Sequence, residues 1–140
     1  MATPLDFSAL RNALVSLDQS LAILDDRAWF DSQSEAVRRT LEAGAIQNVE
    51  FVYELAIKLL RRQLEREASS PADVDQASFR DLLRSAGEKG LVADVERWCH
   101  MRNLTAHTYD RTKAAQVLAD AALFAHDARA LLAALESRDG

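Results

Sequence analysis

Arg102, His107 and Tyr109 are the residues of this chain whose types and spacing suit chemistry. They lie in the run Arg102-Asn103-Leu104-Thr105-Ala106-His107-Thr108-Tyr109, an Arg-x-x-x-x-His-x-Tyr pattern. An arginine guanidinium grips phosphate through two parallel donors and stabilises negative charge as it builds in a transition state. A histidine imidazole ordinarily titrates near neutrality, so it can take the proton of a ribose 2′-hydroxyl or return one to a leaving oxygen. The set suits RNA cleavage without a metal. One imidazole does not readily act as acid and base in the same step, which makes a symmetric dimer with two copies of His107 attractive.

Spacing alone is weak support. With 14 arginines and three histidines, chance gives roughly 0.3 such Arg–His pairs, and roughly 0.004 once a tyrosine is required two positions later. The plain alternative is that Arg102 pairs with an acidic neighbour, His107 is an ordinary loop histidine and Tyr109 packs beside the next helix. Geometry adds a constraint, because residues five apart on an unbroken helix point about 140° away from each other. Either the helix ends near Asn103 or the two side chains meet across a subunit interface. Thr105, Thr108 and the capping candidate Asp110 favour a local break.

Other chemistries find little support. The chain has no Gly-rich phosphate loop, no Gly-x-Ser-x-Gly elbow and no His-Glu-x-x-His. Cys99 and His100 are adjacent and do not converge on one metal as residues four apart on a helix would, so neither a metal site nor a cofactor is expected. Cys99 reads as a small core residue. As the single cysteine it excludes an internal disulfide, which points to a reducing cytoplasm. The apolar runs are too short for a bilayer, and the N-terminus has no signal-peptide pattern. A formal charge of −5 argues against coating duplex DNA by bulk electrostatics, but leaves room for RNA in a local basic cleft.

The elements that must position the motif are helices. The 140 residues suit one domain, 1–140, and Gly and Pro are scarce at four and two. Phe7, Leu10, Leu14, Leu17, Leu21 and Leu24 form an amphipathic stripe with Asp6 placed to cap it. After a polar break from Asp25 to Ser34, Ser34 caps a long helix to about Glu67, with Gly44 its weak point. Val49, Val52, Tyr53, Ala56, Leu59, Leu60 and Leu64 make its broad apolar face, leaving Phe51 and Leu55 off it. Its polar strip carries Glu50, Glu54, Lys58, Arg61, Arg62 and Glu65, read either as a solvated face or as a cleft lining.

Residues 68–76 read as a loop. Ser78 caps a third helix toward Glu88, ended near Gly90, and a fourth helix with Val92, Val95, Trp98, Cys99 and Met101 leads into Arg102. Asp110 or Thr112 caps a last helix with Ala115, Leu118, Ala122, Ala125 and Leu132 among its inward candidates. The expected architecture is all-α, an antiparallel bundle of about five helices of the four-helix-bundle type.

Three segments in register resemble one family. The run Ala45-Ile46-Gln47-Asn48-Val49-Glu50-Phe51-Val52-Tyr53-Glu54-Leu55-Ala56-Ile57-Lys58 resembles a hallmark helix of the HEPN superfamily. The likeness continues through Ser78–Leu83, Glu88–Leu91 and Trp98, and ends in the run from Arg102 to Asp110. It covers nearly the whole chain and points to the branch of nucleotidyltransferase substrate-binding proteins that includes the HepT toxins. Val49 and Ile57 depart from it, standing where that family commonly carries Phe and Trp.

The resemblance implies a homodimer with two Arg-x-x-x-x-His-x-Tyr segments facing a shared cleft. It implies a ribonuclease toxin of a toxin–antitoxin pair, an endoribonuclease with Arg102 and His107 as its catalytic residues. The implied partner is a minimal nucleotidyltransferase antitoxin encoded nearby, which transfers AMP from ATP onto Tyr109. Asn103, Glu54, Lys58 and Arg61 are candidates for lining the cleft. The other reading the resemblance allows is a non-catalytic subunit that binds substrate or nucleotide for that transferase.

Overall fold

In the computed structural model, which describes residues 4–139, the chain folds as α1 (Ser8–Asp25), α2 (Arg27–Asp31), α3 (Glu35–Glu67), α4 (Pro71–Gln76), α5 (Phe79–Glu88), α6 (Val95–Thr105) and α7 (Arg111–Asp139). The fold is all-α, with no strand among the described residues. Seven helices are present there, where about five and a four-helix type were expected. The additions are α2 and α4, of five and six residues, too short to show a period and placed in the stretches read as break and loop. Both carry local start signals. Asp26 Oδ1 accepts from Trp29 N, and Pro71 occupies the first turn of α4.

Ion pairs give the relative directions of the helices. Arg11 pairs with Glu136 and Asp18 with Arg129, so α1 and α7 run antiparallel. Arg97 pairs with Asp127 and His100 with Asp120, so α6 also opposes α7. Glu50 meets Thr108 and Glu67 meets Arg138, so α3 runs alongside α7 in the same sense. The four longest paths therefore alternate in direction along the chain, as short connections require.

The core follows from the apolar stripes. Leu10, Leu14 and Leu17 of α1 are buried in one cluster with Val49, Val52, Ala56, Leu60 and Leu64 of α3, and Leu24 is buried in a second cluster with Phe30 of α2 and Ala45 of α3. Each fully buried Leu contributes roughly 1.5–3 kcal/mol relative to exposure. Phe51 points to solvent and Leu55 is half-buried, as their phase on α3 predicts. On α7 the buried positions are Val117, Ala121, Phe124, Ala125, Ala128, Leu131, Leu132 and Leu135. Ala115 and Ala122 are exposed and Leu118 is half-buried, so two of the five inward residues expected there lie off the core face. Alanine is compatible with either side of a helix, and an Ala-rich segment carries little phase information.

The caps are those the polar residues suggest, with two shifts. Ser34 Oγ accepts from Val37 N, Ser78 Oγ from Asp81 N and Asp110 Oδ1 from Thr112 N. Asp6 serves one residue outside the expected place, since Phe7 is the capping position of α1 while Asp6 Oδ1 accepts from Ser8 N. The fourth expected helix starts at Val95, where Asp94 Oδ1 accepts from Arg97 N, and Val92 is buried before it. Gly90 ends the α5 segment with φ 77°, a left-handed conformation that glycine adopts without strain.

Two glycines give opposite expectations. A methyl at Gly44 meets nothing within 4 Å, so Gly44→Ala should raise stability by about 1 kcal/mol through helix propensity. A methyl at Gly87 would lie 2.8 Å from Val95 Cγ2, so Gly87→Ala should cost about 1–3 kcal/mol through overpacking of α5 on α6. Urea midpoints of the two variants check the pair.

Candidate functional site

The motif straddles the end of one helix and the start of the next. Trp98 and Arg102 lie four apart on α6 and share a face. Trp98 is buried and Arg102 is exposed. Thr105 Oγ1 folds back on the carbonyls of Met101 (3.0 Å) and Arg102 (3.2 Å), and α6 ends there. His107 N then donates to Leu104 O and Asp110 N to His107 O, closing a tight turn before Asp110 caps α7. The helix thus breaks after Thr105, which frees His107 from the opposing phase that a continuous helix would impose.

Within the turn, His107 Nδ1 lies 3.1 Å from the Tyr109 hydroxyl, with the rings edge-on and 5.7 Å apart. Tyr109 is 85% exposed, the most open of the large apolar or aromatic side chains described as exposed. Thr108 Oγ1 donates to Glu50 Oε1 at 3.0 Å and ties the turn to α3. Arg102 and His107 share no hydrogen bond or ring contact within one protomer among the described residues. Asn103 is exposed beside Arg102.

Arg102 differs from the arginines of the bundle that form ion pairs. Arg11, Arg39, Arg80, Arg84, Arg97, Arg129 and Arg138 all reach carboxylates. The Arg102 guanidinium instead lies over the Phe79 ring, 4.1 Å from its centroid, and has no carboxylate partner among the described residues. Its N–H donors remain available for an anion. Behind Phe79 stands Tyr53, whose hydroxyl donates to Trp98 O at 2.8 Å. Burial pushes the Tyr53 phenol well above the ordinary tyrosine range, Cys99 adds to that shift, and the charge of Arg102 opposes it.

The α3 strip forms a depression of about 460 Å³, lined by Tyr53, Glu54, Ile57, Lys58, Arg61, Arg62 and Glu65. Glu54, Lys58 and Arg61 are therefore neighbours. Arg61 is partly committed, because its Nη1 donates to Val74 O of α4 at 3.3 Å. The Glu65 carboxyl is held above its usual range, first by a hydrogen bond with Asp75, against the pull of Arg61 and Arg62. Ile57, one of the two departures from the family pattern, is half-buried in this depression, and Val49 is fully buried.

Sequence reasoning missed three contributors. Phe79 and Glu50 support the motif from other helices, and their distance along the chain gave no signal. The third is a groove of about 240 Å³ between α6 and α7, lined by Arg97, Trp98, His100, Gln116, Asp120 and Asp127 among others. There His100 Nε2 lies 3.2 Å from Asp120 Oδ2, and Gln116 donates to both oxygens of Asp120. Cys99 is buried in the core as expected. Among the described residues no group of three or more His, Cys, Asp or Glu is placed to hold a metal, and no helix is long and apolar enough to cross a membrane.

Comparison with known proteins gives consistent results. A Haemophilus influenzae protein named "Probable ribonuclease HepT" is 42% identical over 142 residues, covering 99% of this chain and 97% of that protein. A solved Haemophilus influenzae structure, described as the fold of a substrate binding domain of a nucleotidyltransferase, superposes with a TM-score of 0.85 at 42% identity. It covers 94% of this chain and 99% of its own. Residues 5–137 match the family described as "Nucleotidyltransferase substrate binding protein like". With family match, fold and near-complete coverage in agreement, this HepT-like chain belongs to the nucleotidyltransferase substrate-binding protein family.

Proposed function

We propose that the chain is a HEPN-type endoribonuclease, the toxin of a toxin–antitoxin pair, which cleaves RNA without a metal at the cleft of a homodimer. The observation that carries this reading is an exposed arginine with no carboxylate partner, followed after one helix end by an exposed His–Tyr pair. The name of the 42% identical relative supports the same reaction class. Arg102 would bind the scissile phosphate and stabilise charge on it during in-line attack. The 2′-oxygen forms a bond to phosphorus as the bond to the 5′-oxygen breaks. One His107 takes the 2′-hydroxyl proton, and the other protonates the departing 5′-oxygen. Asn103, Glu54, Lys58 and Arg61 are placed as cleft-lining residues in this scheme.

Tyr109 is proposed as the acceptor of AMP from a minimal nucleotidyltransferase encoded nearby. Its phenol oxygen would bond to the α-phosphorus of ATP, pyrophosphate would leave, and the phenolic proton would be lost. The product would place negative charge and bulk on the hydroxyl oxygen that now lies 3.1 Å from His107 Nδ1, so substrate phosphate would be repelled. The proposed setting is the cytoplasm. A second reading is favoured by the description of the similar solved structure as a substrate binding domain. In it the chain cleaves nothing and presents nucleotide or substrate to its transferase.

Expression with and without the neighbouring transferase separates the two. The ribonuclease reading expects growth arrest from the chain alone, relief by the partner, and a Tyr109 peptide heavier by one or more AMP units. Unimpaired growth together with tight co-purification of the two proteins would instead support the binding subunit.

A further inference from the structure

Four aromatic rings from four helices end on the one guanidinium of the motif. Phe124 of α7 lies 5.8 Å from Tyr53 of α3 with an interplanar angle of 26°, and 5.5 Å from Trp98 of α6 edge-on. Tyr53 lies 5.6 Å from Trp98 and 6.2 Å from Phe79 of α5, the latter at 25°. Phe79 ends the column, and the Arg102 guanidinium lies over its ring, 4.1 Å from the centroid. The three inner rings are buried, while Phe79 is half-buried at the first position of α5, fixed there by the Ser78 cap.

We propose that Phe79 is a positioning residue for Arg102, and the proposal rests on the ribonuclease reading of the motif. A carboxylate in that place would orient the guanidinium equally well, but would occupy its donors and cancel its charge. A ring face attracts the cation through its quadrupole and makes no hydrogen bond to it. The planar fork stays directed outward, charged and open to a phosphate. The ring is in turn stacked on Tyr53, whose hydroxyl is bonded to the backbone of α6 one turn before Arg102. Phe79 therefore holds the side chain of Arg102 through the same helix that carries it.

The test uses the full chain and a short RNA oligonucleotide with a fluorophore and quencher. Phe79→Leu keeps an apolar side chain but removes the ring face, and should lower kcat by roughly 10- to 100-fold, as displacement of a positioned group does. Phe79→Tyr keeps the ring and should cleave within about threefold of wild type, since the cation–π contact survives. In an Arg102→Ala background, Phe79→Leu should add no further loss. An undiminished effect there, or wild-type cleavage by Phe79→Leu, overturns the proposal. NMR provides a readout that does not need activity. The Arg102 Nε–H and Hδ resonances should be shifted upfield by the ring current in wild type and Phe79→Tyr, and return to ordinary positions in Phe79→Leu. Ordinary positions in the wild type overturn the proposal. If RNA is not cleaved at all, the ribonuclease reading falls, and an upfield Arg102 signal that Phe79→Leu abolishes still supports the positioning role.

Discussion

His107→Ala should lower RNA cleavage by roughly 10²–10⁴, the usual loss when a positioned acid or base is removed. Folding should be nearly untouched. The His107 ring is exposed, its side-chain partner among the described residues is the Tyr109 hydroxyl, and that tyrosine is itself open to solvent. The turn is closed by backbone groups, Leu104 O accepting from His107 N and His107 O from Asp110 N, which alanine retains. Circular dichroism, a urea midpoint and the elution volume should therefore match wild type while cleavage of a labelled RNA collapses. Cleavage at the wild-type rate would remove His107 from the mechanism.

Arg102→Ala is expected to cost roughly 10²–10³ in kcat/KM, the scale for loss of one donor group at a developing charge. The substitution breaks no ion pair with a described carboxylate, so it leaves no acid stranded. Its stability cost should stay near 1 kcal/mol, the order of an exposed cation–π contact. Arg102→Lys discriminates further. An ammonium keeps the charge but lacks the planar fork that meets two phosphate oxygens at once, so it should recover RNA binding more than turnover. Initial rates and fluorescence anisotropy at two salt concentrations measure both quantities. Full turnover with lysine would show that charge alone suffices.

The fold was legible where side chains commit to one environment. The leucines of α1 and the apolar face of α3 repeat at helical spacing, and serine or aspartate stands at most starts. The two short helices and the inward face of α7 were less legible, for the reasons of length and alanine content described above. Arg102, His107 and Tyr109 could be picked out because they are close in the chain. Their environment could not. That the helix stops at Thr105 carries no unique local signal, since Thr40 makes the same bond back to a carbonyl four residues earlier inside the unbroken α3. That Phe79 lies under Arg102 and Glu50 under Thr108 depends on how α3, α5 and α6 pack, and no local pattern encodes a contact 23 or 58 positions away.

The distribution of ion pairs along α7 has a mechanical consequence. Glu67, Asp18, Glu136 and Arg11 lock its far end to α1 and α3, and Asp120 and Asp127 lock its middle to α6. Among the described residues, none of these rivets falls before Asp120. The first turns of α7 and the bend ahead of them are held instead by Val117 in the core, by Leu118 against the Leu24, Phe30 and Ala45 cluster, and by the Thr108 latch and local caps. In the ribonuclease reading proposed above, a bend free of these ion pairs is the part that would adjust to an incoming phosphodiester, or to a nucleotide joined to the Tyr109 phenol, while the remainder of the bundle keeps its register.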